Sequence, residues 1–389
     1  MKLLYVTTHQ ISNLLPLFRE LSKKKKISFK VIFWQNLSST YYDKDFKKII
    51  DYGLDTNSGY DKYFLCNKKR DKINMSIFFK LKTFIKLIRF LHKEEYDEIV
   101  FHSSYTFIHI LASIFSKLTG KKTIVRSMSY NLGKRSKIKK FIRLCYYSLG
   151  NLFFDKFWSM HKLNTEFFTD FGVNKEKINL IHHSQGEFIE LVKKDNNLLL
   201  NVNDFCDKYQ LPKNKKFILF AGLFIERKNP KLLLQSFIDA KLSNDWFLLM
   251  VGGGKFEEEM KSLVYSNKIN NVKFLGFRNQ KELIGFFANS EMLVVPSNAG
   301  DSHCNVAAEA IQFGCAIIGS NMIGLYPEFI DEKVGLIFDI NKKEQLTDHL
   351  KSLTSNSSLL IECQKNALEY GKKKTPQYSS DQIVENLIA

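Results

Sequence analysis

The sequence predicts an α/β chain made of two doubly wound, Rossmann-like parallel-sheet domains, and three observations carry that reading. Short apolar runs alternate with helical periodicity in two separate series, one opening at residue 3 and the other near residue 216. A polar stretch divides the two series. The length of 389 residues is about twice a common domain size. Strands that alternate with helices require a parallel sheet covered on both faces.

Residues 3–7 read as the first strand. A helix follows over 13–23, with Leu14, Leu17, Phe18 and Leu21 at helical spacing. Lys23, Lys24, Lys25 and Lys26 close it, where cations suit the negative end of the helix dipole. Strand 29–34, helix 76–91, strand 98–102, helix 106–118 and strand 122–126 complete the first series. The second begins with strand 217–221, an almost continuous apolar run of the kind a buried parallel strand requires. Helix 231–240 is entered through Asn229 and Pro230, with proline in its preferred first turn. Strand 246–251 ends in Gly252, Gly253 and Gly254. Strand 274–276, helix 280–288, strand 292–295, helix 305–313 and strand 316–319 continue the alternation. Residues 193–216 are polar and read as a linker. Domains are therefore expected at 1–195 and 196–371, with a helix at 372–389 crossing back onto the first.

Composition narrows the function classes. An apolar fraction of 44% with 25% charged residues is ordinary for a globular chain and excludes a disordered, collagen-like or disulfide-dense one. The net charge of +18 lies entirely in the first half. Residues 1–200 carry 36 basic and 18 acidic side chains, whereas residues 201–389 carry 22 of each. No Asp or Glu occurs between Glu98 and Asp155. The six cysteines are scattered, with no paired spacing and no nearby histidine, which implies free thiols in a reducing compartment and no zinc site. The first apolar run is too short for a signal peptide, and the longest, near 106–115, is half the ~20 residues of a membrane helix. A soluble or peripheral protein is expected.

In doubly wound sheets, ligands bind beyond the carboxyl ends of the strands. In the second series those ends are polar or glycine-rich. One holds Gly222 to Lys228, another the three glycines, and a third Ser297 to Asn305, ahead of a helix containing Glu309. A loop entering a helix offers unpaired N–H groups to a phosphate. Asp301, just ahead of that turn, suits sugar hydroxyls, Glu309 a ribose, and Lys228 a diphosphate.

These residues resemble the nucleotide-sugar domain of glycosyltransferase family 4, retaining enzymes of the GT-B fold. The signature is a carboxylate pair with seven residues between, then a glycine and an apolar strand: Asp301, Glu309, Gly314 and residues 315–318. Gly222 with Lys228, Val251 to Gly254, Phe274 to Phe277, and Gly324 to Glu328 before 334–337 also match. The resemblance is strongest over 216–352. In the first half, Thr8 to Ile11 with Pro16 to Arg19, Phe101-His102-Ser103 and Val125-Arg126-Ser127 resemble one subgroup of the family. Three departures stand out. Asp301 replaces the usual Glu. Leu223 replaces an Arg, for which Arg227 is the candidate substitute. Paired glycines after the first strand are missing, and Arg126 or Ser127 stands where many members have His.

The resemblance implies a set of roles. Asp301, Lys228 and Arg126 would be catalytic, and His9 and Gln10 would meet the acceptor. Gly222, Arg227, Lys228, Asp301, Ser302, His303, Cys304, Asn305, Val306 and Glu309 would hold the donor, with Phe277 and Arg278 near its base. No metal or other cofactor is expected beyond the nucleoside-diphosphate sugar itself. The pair Asp43 and Asp45 around Lys44 superficially resembles a metal-binding motif of another glycosyltransferase fold, but lies too near the start.

Two basic segments suit an anionic surface. Residues 77–88 align Ile77, Phe78, Leu81, Phe84, Ile85 and Ile88, with Lys82, Lys86 and Arg89 opposite, and residues 134–143 mix Lys and Arg with apolar anchors. The combined expectation is a cytoplasmic enzyme, peripheral on the inner face of the membrane. It would act on a saccharide or lipid-linked acceptor in bacterial surface polysaccharide assembly. Alternatives are a GT-B nucleotide-sugar epimerase or phosphorylase, and a basic nucleic-acid-binding protein. The last is disfavoured because the cations are mostly Lys, with no recognisable nucleic-acid module.

Overall fold

The computed structural model describes all residues except 38–39, 44–47, 52–55, 57, 71, 75, 103–106, 132–135, 187 and 389. Ser103, and the basic pair Lys134 and Arg135, therefore lie outside the described residues, as do Lys44 and Asp45 of the acid-pair motif. The chain divides into two compact units. One comprises Met1–Tyr42, Ile49–Gly186 and Pro376–Ala389; the other comprises Asp43–Lys48 and Glu187–Thr375.

In the first unit the strands are β1 (Lys2–Thr7), β2 (Ser28–Leu37), β5 (Asp61–Arg70), β6 (Glu98–His102), β7 (Lys122–Arg126), β8 (Lys156–Ser159) and β9 (Ile178–Leu180). A separate two-stranded ribbon joins β3 (Thr40–Asp43) to β4 (Lys48–Asp51). The seven-stranded sheet runs β5-β2-β1-β6-β7-β8-β9, parallel throughout. Alternate residues face opposite sides of a strand. Leu4, Val6, Phe101 and Val125 meet the helices Ile77–Lys93, Phe107–Leu118 and Lys137–Phe153 through Leu87, Ala112 and Tyr147. Leu3, Tyr5, Val100, Ile124 and Trp158 face the other way, toward the helices Leu15–Ser22 and Pro376–Ile388.

The final helix is integral to this unit. Ile383, Val384 and Leu387 are buried in its core. Asn386 Oδ1 accepts from Trp158 Nε1 at 2.8 Å, and Gln382 Oε1 accepts from the His182 backbone N–H at 2.9 Å.

The second unit is a six-stranded parallel sheet. Its strands are β10 (Lys216–Ala221), β11 (Trp246–Val251), β12 (Val272–Gly276), β13 (Met292–Val295), β14 (Ala316–Ser320) and β15 (Gly335–Phe338), in the order β12-β11-β10-β13-β14-β15.

Residues 193–216 are not a linker, and the first unit ends earlier than residue 195. Phe188 opens the helix Phe188–Lys194 and packs edge-on against Phe287, 6.1 Å between centroids, inside the second unit's core. The helix Val202–Tyr209 is capped by Asn201 and buries Phe205, Cys206 and Tyr209. Phe205 packs on Phe217 and Phe286. Polar residues outnumber this apolar stripe in the sequence, so a helix with one buried face reads there as a loop. The segment that returns to the first unit starts at Pro376 rather than 372, because the helix Ser357–Lys372 buries Ala367 and Tyr370 in the second. Strand β5 carries charges at five of its ten positions, which suits an unpaired sheet edge but hides its strand character.

If the returning helix completes the first core, Ile383→Ala should cost about 2–4 kcal/mol. Urea unfolding should show this as a lowered midpoint for the first unit.

Candidate functional site

The second sheet reverses its direction of winding between β10 and β13, and the carboxyl ends of such a pair frame a crevice. The loop after β10 passes through a 3₁₀ turn, Glu226–Lys228, and turns back at Asn229, whose φ of +52° is left-handed. The loop after β13 lies beside it, with the Asn298 N–H donating to the Arg227 carbonyl at 3.0 Å.

Asp301 sits where three loops meet. Its Oδ2 accepts from Lys228 Nζ and, at 3.3 Å, from Ser297 Oγ. The Arg227 guanidinium lies 3.6 Å from Oδ1. The Asp301 backbone bridges to the loop after β14: its N–H donates to the Met322 carbonyl at 3.1 Å, and its carbonyl accepts from Gly324 N–H at 2.8 Å. Arg227 and Lys228 therefore converge on one carboxylate.

Glu309 lies one turn into the helix Asn305–Ala310 and is buried. Burial pushes its carboxyl up to about 8, against the opposing pull of Lys228. That helix is shorter than the sequence suggested. It passes at Ala310 into a 3₁₀ turn, Ile311–Phe313, which Gly314 ends at a φ of +85°.

Cys304 precedes the helix in the left-handed region, at a φ of +53°. Burial and the nearby Asp301 drive its thiol far above the usual range, toward the neutral form. His303 is buried, Ser302 and Val306 are partly buried, and Asn305 is exposed.

Glycine is needed here for backbone contact. A Cβ at Gly252 would lie 1.8 Å from the Gly222 carbonyl oxygen, at a φ of +138°. Gly222 N–H donates to the Val251 carbonyl, and Phe224 N–H to the Gly253 carbonyl, so the ends of β10 and β11 interlock. Arg278 packs over the Tyr209 ring, 5.2 Å from its centroid, and lies 3.6 Å from Glu282.

The remaining sequence-derived residues lie in the first unit. His9 Nδ1 is 2.8 Å from Thr8 Oγ1, and burial holds its imidazole down at about 4. The Gln10 amide donates to Asn36 Oδ1 and accepts from the Leu37 N–H, tying the loop after β1 to the end of β2. Arg126 ends β7 and is completely buried. Among the described residues, no cluster of His, Cys, Asp or Glu is placed to hold a metal ion.

Sequence reasoning placed Ser297 and Asn298 in the loop after β13 but gave them no role, and it missed the Met322–Gly324 contact. Ser297 stands four residues before Asp301 just past an apolar strand, which was a usable signal. A backbone bridge between distant loops leaves none.

The family model described as glycosyl transferases group 1 matches residues 202–374. Those residues are similar to that family. An uncharacterised 41.2 kDa protein in the cps region of Klebsiella pneumoniae is 26% identical over 186 residues, covering 46% of this chain and 47% of that protein. The chain thus spans about half the length of the first curated relatives it matches. A longer match, 23% identical over 314 residues, covers 77% of this chain and 78% of its partner. That partner is the N,N'-diacetylbacillosaminyl-diphospho-undecaprenol alpha-1,3-N-acetylgalactosaminyltransferase of Campylobacter jejuni. The crystal structure of Anabaena HepE in complex with UDP aligns over 100% of this chain and 99% of its own, with a TM-score of 0.71 and 15% identity. The fold is GT-B, and the segment similar to the group 1 family contains the Asp301 junction.

Glu309 gives the second unit a testable pH dependence. Its folded pKa lies above the ordinary 4.5, so the folded state keeps a proton that the unfolded chain loses. Stability should fall as pH rises from about 4.5 to about 8. Glu309→Gln should remove this slope and be more stable than the parent at pH 8, by on the order of 1–3 kcal/mol, in urea titrations at pH 5, 6.5 and 8.

Proposed function

We propose that this chain is a retaining glycosyltransferase that moves a sugar from a nucleoside-diphosphate sugar to a lipid-linked saccharide. The observation that carries the reading is the convergence of Arg227 and Lys228 on Asp301, with Glu309 buried one turn into the helix that follows, at the switch point of a domain similar to the group 1 family. The leaving group is a diphosphate whose negative charge grows in the transition state. Two preplaced cations stabilise that charge more than they stabilise the bound donor, which is what lowers a barrier. Asp301 accepts hydrogen bonds from sugar hydroxyls. Glu309, protonated at neutral pH, donates to a ribose hydroxyl. No step calls for a metal ion. The name of the Campylobacter relative supports a polyprenyl-diphosphate-linked acceptor, and the cps-region relative supports a surface-polysaccharide setting.

Nucleoside-diphosphate release from a panel of nucleotide sugars, with a lipid-linked acceptor, tests the reading. Lys228→Ala should lower turnover about 100-fold or more. Asp301→Ala and Glu309→Ala should each be severely impaired, and full turnover in both would overturn the assignment.

The acceptor's membrane is met, in this reading, by the helical layer of the first unit. The helices Ile77–Lys93 and Lys137–Phe153 leave Phe78, Leu81, Ile138, Phe141 and Ile142 exposed, beside Lys82, Lys137, Lys139 and Lys140. Lys86 faces inward and donates to the Leu65 carbonyl at 2.7 Å. An exposed apolar face edged with cations suits insertion among anionic headgroups. Among the described residues, no helix is long and apolar enough to cross a membrane. The chain should float with vesicles containing phosphatidylglycerol at moderate salt, and the double variant Phe141→Asp with Ile142→Asp should stay behind. Equal flotation of both proteins would remove the proposed surface.

A further inference from the structure

Arg126 is a fully buried cation whose charge no carboxylate among the described residues balances. It ends β7, between His102 on β6 and Trp158 on β8, and lies on the same face as Ile124. Tyr5, Val100, Ile124 and Trp158 form the apolar floor of that face. The Tyr5 hydroxyl, a neutral group, interacts with the guanidinium, and among the described residues no carboxylate pairs with it. The sequence around it contains no acid from Glu98 to Asp155.

An arginine retained for structure is normally buried against a carboxylate or a set of carbonyls, because an uncompensated buried charge is strongly destabilising. The neighbours here do the opposite. His102 is held neutral: burial, with the charge of Arg126 adding to it, drives its imidazole down to about 3. Its Nδ1 is engaged with Tyr5 Oη at 2.8 Å. His9 forms the half-buried rim and is likewise driven toward its neutral form by burial. The Thr7 hydroxyl at the end of β1 and the Ser127 hydroxyl after β7 are buried and unpartnered as well.

The location is that of a ligand site. The first sheet reverses its winding between β1 and β6, and Arg126 stands one strand away at the same carboxyl edge. A planar guanidinium offers a fork of donors that matches a carboxylate or phosphate oxyanion in a bidentate manner.

We propose that the first unit contains an oxyanion-binding site centred on Arg126, and that the group it receives is a carboxylate or phosphate carried by the saccharide substrate. This rests on the glycosyltransferase reading only for the word saccharide; the site itself rests on the unbalanced cation. Arg126 is thus a specificity residue, selecting acidic over neutral sugars.

Thermal unfolding of the full chain tests this with three probes: glucuronate, inorganic phosphate, and glucose as the neutral control. A bound anion stabilises the fold by mass action. Glucuronate or phosphate at about 20 mM should raise Tm by at least about 2 °C, and glucose should not. A shift with glucuronate alone identifies a sugar carboxylate, and one with phosphate alone identifies a phosphoryl group. Arg126→Met should abolish the shift and be no less stable than the parent without anion, since it removes the unbalanced charge. Arg126→Lys should keep part of the shift. Lys228→Ala should keep all of it, which separates this site from the second unit's cations. The proposal is overturned if neither anion exceeds glucose, if Arg126→Met responds like the parent, or if Arg126→Met is destabilised without anion. UDP-induced stabilisation, lost in Lys228→Ala, reports the donor site separately, so the two readings can fail independently.

Discussion

One carboxylate joins the moving parts of the second unit. Asp301 receives Lys228 and approaches Arg227 through its side chain, while its backbone is bridged to the loop after β14. Three loops separated in sequence are thereby joined through one residue. On the proposed function, two cations held in this way would lose little freedom when a diphosphate displaces the carboxylate. The salt bridge itself need not add much stability, since desolvation offsets much of its attraction. Its contribution is to fix where positive charge sits.

The interlocked glycines serve the same end. The Gly222 carbonyl occupies the space a side chain on Gly252 would need, so β10 and β11 end flush against each other. Lys228 leaves from that edge on a short 3₁₀ turn instead of a long mobile loop. The second unit therefore sets its site with backbone contacts first and side chains afterwards.

Parallel strands buried on both faces were legible because they are short apolar runs. Residues 98–102, 122–126, 246–251 and 292–295 coincide with β6, β7, β11 and β13. Strand β5 was not, because a charged edge strand has no such run. The helix Val202–Tyr209 was hidden for a related reason: three buried residues among polar ones look like a loop until Phe286 is known to lie opposite. In the site, the spacing of Asp301 and Glu309 pointed to both carboxylates. The contact of Arg227 with Asp301 was open to inference, since the residue was singled out to replace Leu223. The lack of a described carboxylate beside the buried Arg126 was not, because it is a property of three dimensions.

The first core draws on residues 1–42, 49–186 and 376–389, with residues 187–375 of the second unit between the last two stretches. During synthesis the second unit has all of its 187–375 strands and helices in hand before the helix Pro376–Ile388 emerges. Until then Trp158 and its neighbours on that face of the first sheet lack part of their cover. The second unit can therefore close first, and the first must wait with one apolar face partly open. In a growing chain, that interval is when the first unit is most exposed to aggregation and most dependent on a chaperone.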